Sequence, residues 1–270
     1  MCLNGEKKIM KFEFVTSMHK PYFDHIGSVM IESWLEHWKD YDCKLVVYGE
    51  GFYHDFNSDK IVWRDWNDNC EKNYNKFKEK TKGPCLTFAK KGFAFLNAMK
   101  HSSGSRLIWV DADLLFFKKF PLDKFVELLP DNKLIAFFDQ FYLQNPDYTL
   151  EEYTNKETRP GYGAESGFII VNTSHKNYDE YVKEYDALYN SEKKHQLLTH
   201  WYDSEVVVIA ARNFLSEVED LSKHRIGNKT QTPLNRSWLS EYFSHQKAKS
   251  KYQYTKEELR KMCGLNHEKN

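Results

Sequence analysis

Apolar residues recur along this chain in two periods. Between Tyr22 and Trp38 they fall at every fourth position, Ile26, Met30, Trp34 and Trp38, which is the stripe of an amphipathic helix. The same spacing returns over residues 85–99 through Leu86, Phe88, Ala89, Phe93, Leu96 and Met99. Residues 178–189 read as a further helix, and so does the run VVVIAA behind Asp203-Ser204. Short strands are predicted between these stretches, those at 107–110 and 134–138 as unbroken apolar runs of the kind buried on both faces. They cover residues 11–18, 43–48, 60–63, 107–110, 134–138 and 164–172. Residues 65–83 are polar and lysine-rich with little periodicity, and read as a surface excursion; 145–162 read as a turn-rich loop. Near the end, Thr255 and Glu258 form a capping box for a helix over 256–263, with Gly264 as its stop.

Strands that alternate with helices through the first part of the chain give an α/β class. At 270 residues there is room for one domain with a sizeable core, assigned here to 1–250, and a short basic tail at 251–270. The tail reads as a solvated helix rather than a membrane contact, because Glu257 and Glu258 offset its lysines. Lys+Arg and Asp+Glu both number 39, so no overall charge favours a nucleic-acid partner. The five cysteines are odd in number, scattered and without a CxxC pair, which points away from a zinc knuckle or disulfide framework and toward a reducing compartment. The first residues, MCLNGEKKIMKFEF, lack the apolar stretch of a signal peptide, and no run is long enough to cross a bilayer. A soluble, cytoplasmic protein without a transmembrane segment is expected.

The chemistry concentrates in residues 106–117, RLIWVDADLLFF. A buried-type strand runs straight into Asp111 and Asp113, with the small Ala112 between them. On extended backbone, residues two apart point the same way, so both carboxylates reach one spot at the strand's carboxyl end. That edge is where open α/β sheets bind ligands. Paired hard oxygen ligands there suit Mg²⁺ or Mn²⁺ held together with substrate phosphates. Acids also follow strands merely as caps, and Asp123 after Phe120-Pro121-Leu122 reads that way. Other positions stay open between two roles. Thr16 and Ser17 either touch a nucleotide or make a turn. Lys90 and Lys91, on the helix before the DAD strand, face either solvent or phosphate. Asp203 is either a helix N-cap, with Glu205 in the first turn, or part of a site. Gly167, behind Glu165 and Ser166, allows close approach of backbone or ligand.

The order of strand, helix, strand, DAD strand, ESGFIIVN strand and late histidine and lysines resembles GT-A type glycosyltransferases. The nearest likeness is to the glycogenin and lipopolysaccharide galactosyltransferase group and to small viral or bacterial relatives. It covers the layout of residues 11–251, with only short motifs matching in detail. The resemblance implies a single-domain Rossmann-like fold with a mixed central sheet flanked by helices. It also implies a nucleotide-sugar donor, UDP-linked by preference, and a glycan, lipid or protein acceptor. Asp111 would then lie near the ribose and the metal, Mn²⁺ or Mg²⁺, and Asp113 would bind the metal directly. A late histidine would be the third ligand, followed by phosphate-binding lysines. His245-Gln246-Lys247-Ala248-Lys249 fits that pattern, with Ala248 where glycine is expected; His224-Arg225-Ile226-Gly227-Asn228-Lys229 is the other candidate. His245 is favoured because Lys247, Lys249 and Tyr242 surround it. Glu165 and Asp203 would line the sugar and acceptor side and supply a base if the reaction inverts; the likeness leans toward retention.

Two alternatives compete. A haloacid-dehalogenase-like phosphatase also places Asp-x-Asp after an apolar strand. It wants Thr or Val where Leu115 stands, and an earlier position in the chain. A non-catalytic carbohydrate-binding protein on the same fold would bind donor without turnover. VTSMHKPY lacks the GxGTR loop of sugar nucleotidyltransferases, and no P-loop or GxGxxG occurs.

Overall fold

The computed structural model describes residues 11–82, 85–139, 163–191, 203–224, 232–246 and 252–265. Its strands are β1 Phe12–His19, β2 Cys43–Glu50, β3 Ile61–Asp65, β4 Arg106–Val110, β5 Leu114–Phe116, β6 Ile135–Asp139, β7 Ala164–Asn172, β8 Val218–Asp220 and β9 Phe243–His245. Seven of them form one sheet in the order β3-β2-β1-β4-β7-β6-β8, while β5 and β9 form a separate ribbon. The half built from β3, β2, β1 and β4 is parallel, and β7 runs antiparallel to both β4 and β6.

Alternation along the strands sorts side chains into two cores. Leu107 and Trp109 of β4, with Ile169 and Val171 of β7, face one layer; Ile108 and Val110, with Phe168 and Ile170, face the other. The first layer is closed by the helices Cys85–His101, Tyr178–Asn190 and Asp203–Ala211, the second by Ser28–Trp38. Trp34 and Trp38 of that helix are fully buried and meet Phe14 edge-on, at centroid distances of 5.6 and 4.6 Å. An aromatic so enclosed contributes about 3–5 kcal/mol relative to alanine.

The sequence-derived strands all form, with ends shifted by a residue or two. The excursion expected over 65–83 does not. Residues 67–71 form a π-helical turn, and Lys72–Lys80 is an α-helix. Trp66, Cys70, Tyr74 and Phe77 are buried at spacings of four, four and three, packed against Phe93 and Tyr189. So few apolar positions among so many lysines conceal a real helical stripe. A second difference is the entry to the Ser28–Trp38 helix, which winds through a short turn at Lys20–Tyr22 and a π-helical Phe23–Gly27. Asp123 caps nothing: Pro121 holds the N-cap position without a side-chain bond, and Asp123 sits in the first turn of Leu122–Glu127. The loop expected at 145–162 lies outside the described residues.

The late helix forms as Lys256–Met262 with the expected reciprocal capping box, and Gly264 follows at φ +71°. It buries Leu259 and Cys263 in the second core and pairs Arg260 with Glu32. The Cys263 carbonyl lies 3.3 Å from His37 Nε2. No helix among the described residues is long and apolar enough to cross a membrane.

Candidate metal centre

The carboxyl ends of β1 and β4 meet at one lip of the sheet, and three ligand groups converge there. Beyond Val110 the chain turns tightly. Asp111 N–H donates to Gly167 O at 2.9 Å, and Leu114 N–H donates back to Asp111 O at 3.0 Å. This turn puts Asp111 and Asp113 on the same side and leads into β5. There β9 pairs antiparallel, setting His245 opposite Leu114, next door to Asp113. Gln246 N–H donates to Asp113 O at 2.9 Å and continues the register. His245 Nε2 is therefore 3.0 Å from Asp113 Oδ1 and 3.3 Å from Asp111 Oδ2. One ligand atom from each residue fits within 4.8 Å of the others. Two hard carboxylate oxygens and one imidazole nitrogen form a donor set suited to Mg²⁺ or Mn²⁺.

Behind the imidazole, Nδ1 faces Glu165 Oε1 at 3.1 Å, with both side chains 1% exposed. A metal-binding histidine commonly directs its second ring nitrogen at a carboxylate in this way, which leaves the outward nitrogen as the ligand. The close packing depends on Gly167. A Cβ there would meet His245 Cε1 and lie 2.6 Å from Nδ1. The sequence-level expectation of close approach at Gly167 is met by a side chain of this chain.

Lys91 is turned inward. Its Nζ lies 2.6 Å from Asp111 Oδ1, 2.5 Å from Asp203 Oδ2 and 2.8 Å from Ser166 O, and 5.3 Å from the Trp109 ring centroid. Lys90 instead pairs with Glu50 at 2.7 Å. The electrostatics follow from this crowding. Burial opposes charge on Asp111, yet Lys91 and His245 outweigh it and hold the carboxyl well below the usual range. Asp113 is likewise depressed, burial being overcome by His245 and the Tyr22 hydroxyl. Burial alone would lower His245, but Asp113, Asp111 and Glu165 raise it well above an ordinary histidine. Four carboxylates (Asp111, Asp113, Glu165 and Asp203) face one lysine and one imidazole. The cluster holds net negative charge that a divalent cation between Asp111, Asp113 and His245 would balance.

Thr16 has no exposed surface and lies inside β1, which runs on to His19; Ser17 beside it is half-buried. Asp203 opens the Asp203–Ala211 helix but spends its side chain on Lys91. His224 ends a 3-10 turn that begins at Leu221, in a part of the chain distinct from the β5–β9 ribbon. Lys247 and Lys249 lie outside the described residues. Sequence reasoning missed Tyr22, whose hydroxyl donates to Asp113 Oδ2 at 2.6 Å across 91 positions of chain. No local signal marks such a pairing.

No protein-family profile matches the sequence, and no curated protein sequence does. Solved structures do match. Galactosyltransferase LgtC, in complex with donor and acceptor sugar analogs, superposes with a TM-score of 0.57 at 11% identity over 96% of this chain and 97% of that one. The apo form of mouse xyloside xylosyltransferase 1 gives 0.52 at 14% identity, over 78% and 85%. The apo bifunctional glycosyltransferase WbbM gives 0.50 at 15%, over 88% of this chain and 44% of that one. The chain therefore has the fold of the GT-A glycosyltransferases, a mixed central sheet flanked by helices, and the spacing of Asp111 and Asp113 fits a DxD motif.

Proposed function

We propose that this protein is a metal-dependent glycosyltransferase that moves a sugar from a nucleoside-diphosphate donor, UDP-linked by preference, to a glycan, lipid or protein acceptor. The observation that carries the reading is the convergence of Asp111, Asp113 and His245 at the carboxyl-end lip of the sheet. These residues would hold Mn²⁺ or Mg²⁺, which when bound neutralises the diphosphate as the sugar–phosphate bond breaks.

The chain's own residues do the rest. Asp113, tied to Tyr22, and His245, backed by Glu165, keep two ligand atoms in place before substrate arrives. Lys91 holds the Asp111 carboxylate and brings a fixed positive charge to the diphosphate side. Lys247 and Lys249 follow His245 by two and four residues and are assigned to the phosphates. Glu165 and Asp203 are engaged with His245 and Lys91, which favours a positioning role for both over that of a base on the acceptor. This supports retention of configuration.

The test is release of nucleoside diphosphate from a panel of UDP- and GDP-sugars with Mn²⁺, by wild type and Asp113→Ala. Turnover of at least one donor by wild type and none by the variant is expected. Tight donor binding without turnover on any acceptor would favour the carbohydrate-binding alternative.

A further inference from the structure

We propose that Asn235 is the positioning residue that fixes the His245 ligand, its side-chain amide standing in for the neighbour that β9 lacks. β9 is only three residues long and is paired with β5 on one edge. The ladder bonds on that edge flank His245: Phe117 N–H donates to Tyr242 O, and Gln246 N–H to Asp113 O. The peptide groups of His245 itself point the other way, to Asn235. His245 N–H donates to Asn235 Oδ1 at 2.8 Å, and Asn235 Nδ2 donates to His245 O at 2.9 Å. One amide thus satisfies both backbone groups of one residue, as a paired strand would. The reversed amide would set donor against donor and acceptor against acceptor, so this orientation is the one that the backbone selects.

Asn235 is itself held. Its N–H meets Thr232 Oγ1 at 3.3 Å, and it rides on the turn Leu234–Arg236, anchored by the fully buried Leu234. Ser244 Oγ adds a donor to Asn235 Oδ1 at 3.2 Å. With the His245 backbone clamped from outside and its Nδ1 facing Glu165 from behind, Nε2 is left aimed between Asp111 and Asp113. Asn235 touches none of the metal-ligating atoms and acts through His245. This rests on the metal-centre reading above.

The experiment measures Mn²⁺ affinity by calorimetry and thermal stability for wild type, Asn235→Ala and Ser237→Ala. Ser237 braces the same turn through Leu234 O and the Leu239 N–H without touching His245, and so reports loss of turn stability alone. Removing such an outer partner weakens metal binding about 10–100-fold. Asn235→Ala should show that loss while Ser237→Ala keeps wild-type affinity, even where its Tm falls as far. Equal weakening by both, or wild-type affinity in Asn235→Ala, overturns the proposal. The metal-free protein gives an independent readout. The His245 ring carbon and nitrogen resonances should be those of one ring orientation in wild type and exchange-broadened in Asn235→Ala. If wild type binds no Mn²⁺, the metal reading fails, and this NMR comparison alone decides the role of Asn235: unchanged ring signals would overturn it.

Discussion

Gly167 shows how much of the site depends on single atoms. Any Cβ there collides with the His245 ring, which is enclosed between Glu165 and the two aspartates and has nowhere to retreat. Gly167→Ala should cost about 1–3 kcal/mol of overpacking and weaken Mn²⁺ binding at least ten-fold, read by calorimetry beside a urea melt. Lys91 makes the complementary case. Lys91→Met leaves the Asp111 and Asp203 carboxylates facing each other without their cation, and should destabilise by about 3 kcal/mol in the same melt. Adding Asp203→Asn should recover part of that loss, because one of the stranded charges is removed. At this scale the sequence was partly legible. Asp111 and Asp113 stand out because a two-residue spacing after a buried strand needs no distant information. His245 came from family likeness rather than local pattern, and Tyr22 and Asn235 act through folding that brings distant segments together.

Among the elements, those with a clean period were readable, and the Lys72–Lys80 helix was not, since its two buried residues, Tyr74 and Phe77, had to be picked out of a lysine-rich stretch. The closing helix was legible from its capping box, but its docking was not. Cys263 and Leu259 enter the core beside the Ser28–Trp38 helix. Two measurements follow. Burial pushes the Cys263 thiol up to about 12, so labelling by a thiol reagent at pH 8 should be slow in the native protein and several-fold faster in Arg260→Ala, which loses the pair with Glu32. His37, beside the Cys263 carbonyl, is held below the ordinary histidine value by burial. A histidine of lowered native pKa contributes stability above its unfolded pKa and loses it as pH falls through about 6.5 and below. Cys263 labelling should therefore quicken on mild acidification after correction for thiolate content, and His37→Gln should flatten that dependence.

At the scale of the whole molecule, the fold brings the DxD turn, the glycine-bearing β7 and the late strand β9 to one lip, though they are far apart in sequence. The solved glycosyltransferases matched at 11–15% identity share the fold of this sheet. The proposed function rests on a cation held between Asp111, Asp113 and His245. The most direct measurement is calorimetric titration of UDP into wild type, Asp113→Ala and His245→Ala, with and without Mn²⁺. The expected result is UDP binding that requires Mn²⁺ and is lost in both variants while the variants remain folded. UDP binding indifferent to the metal and to both substitutions would contradict it.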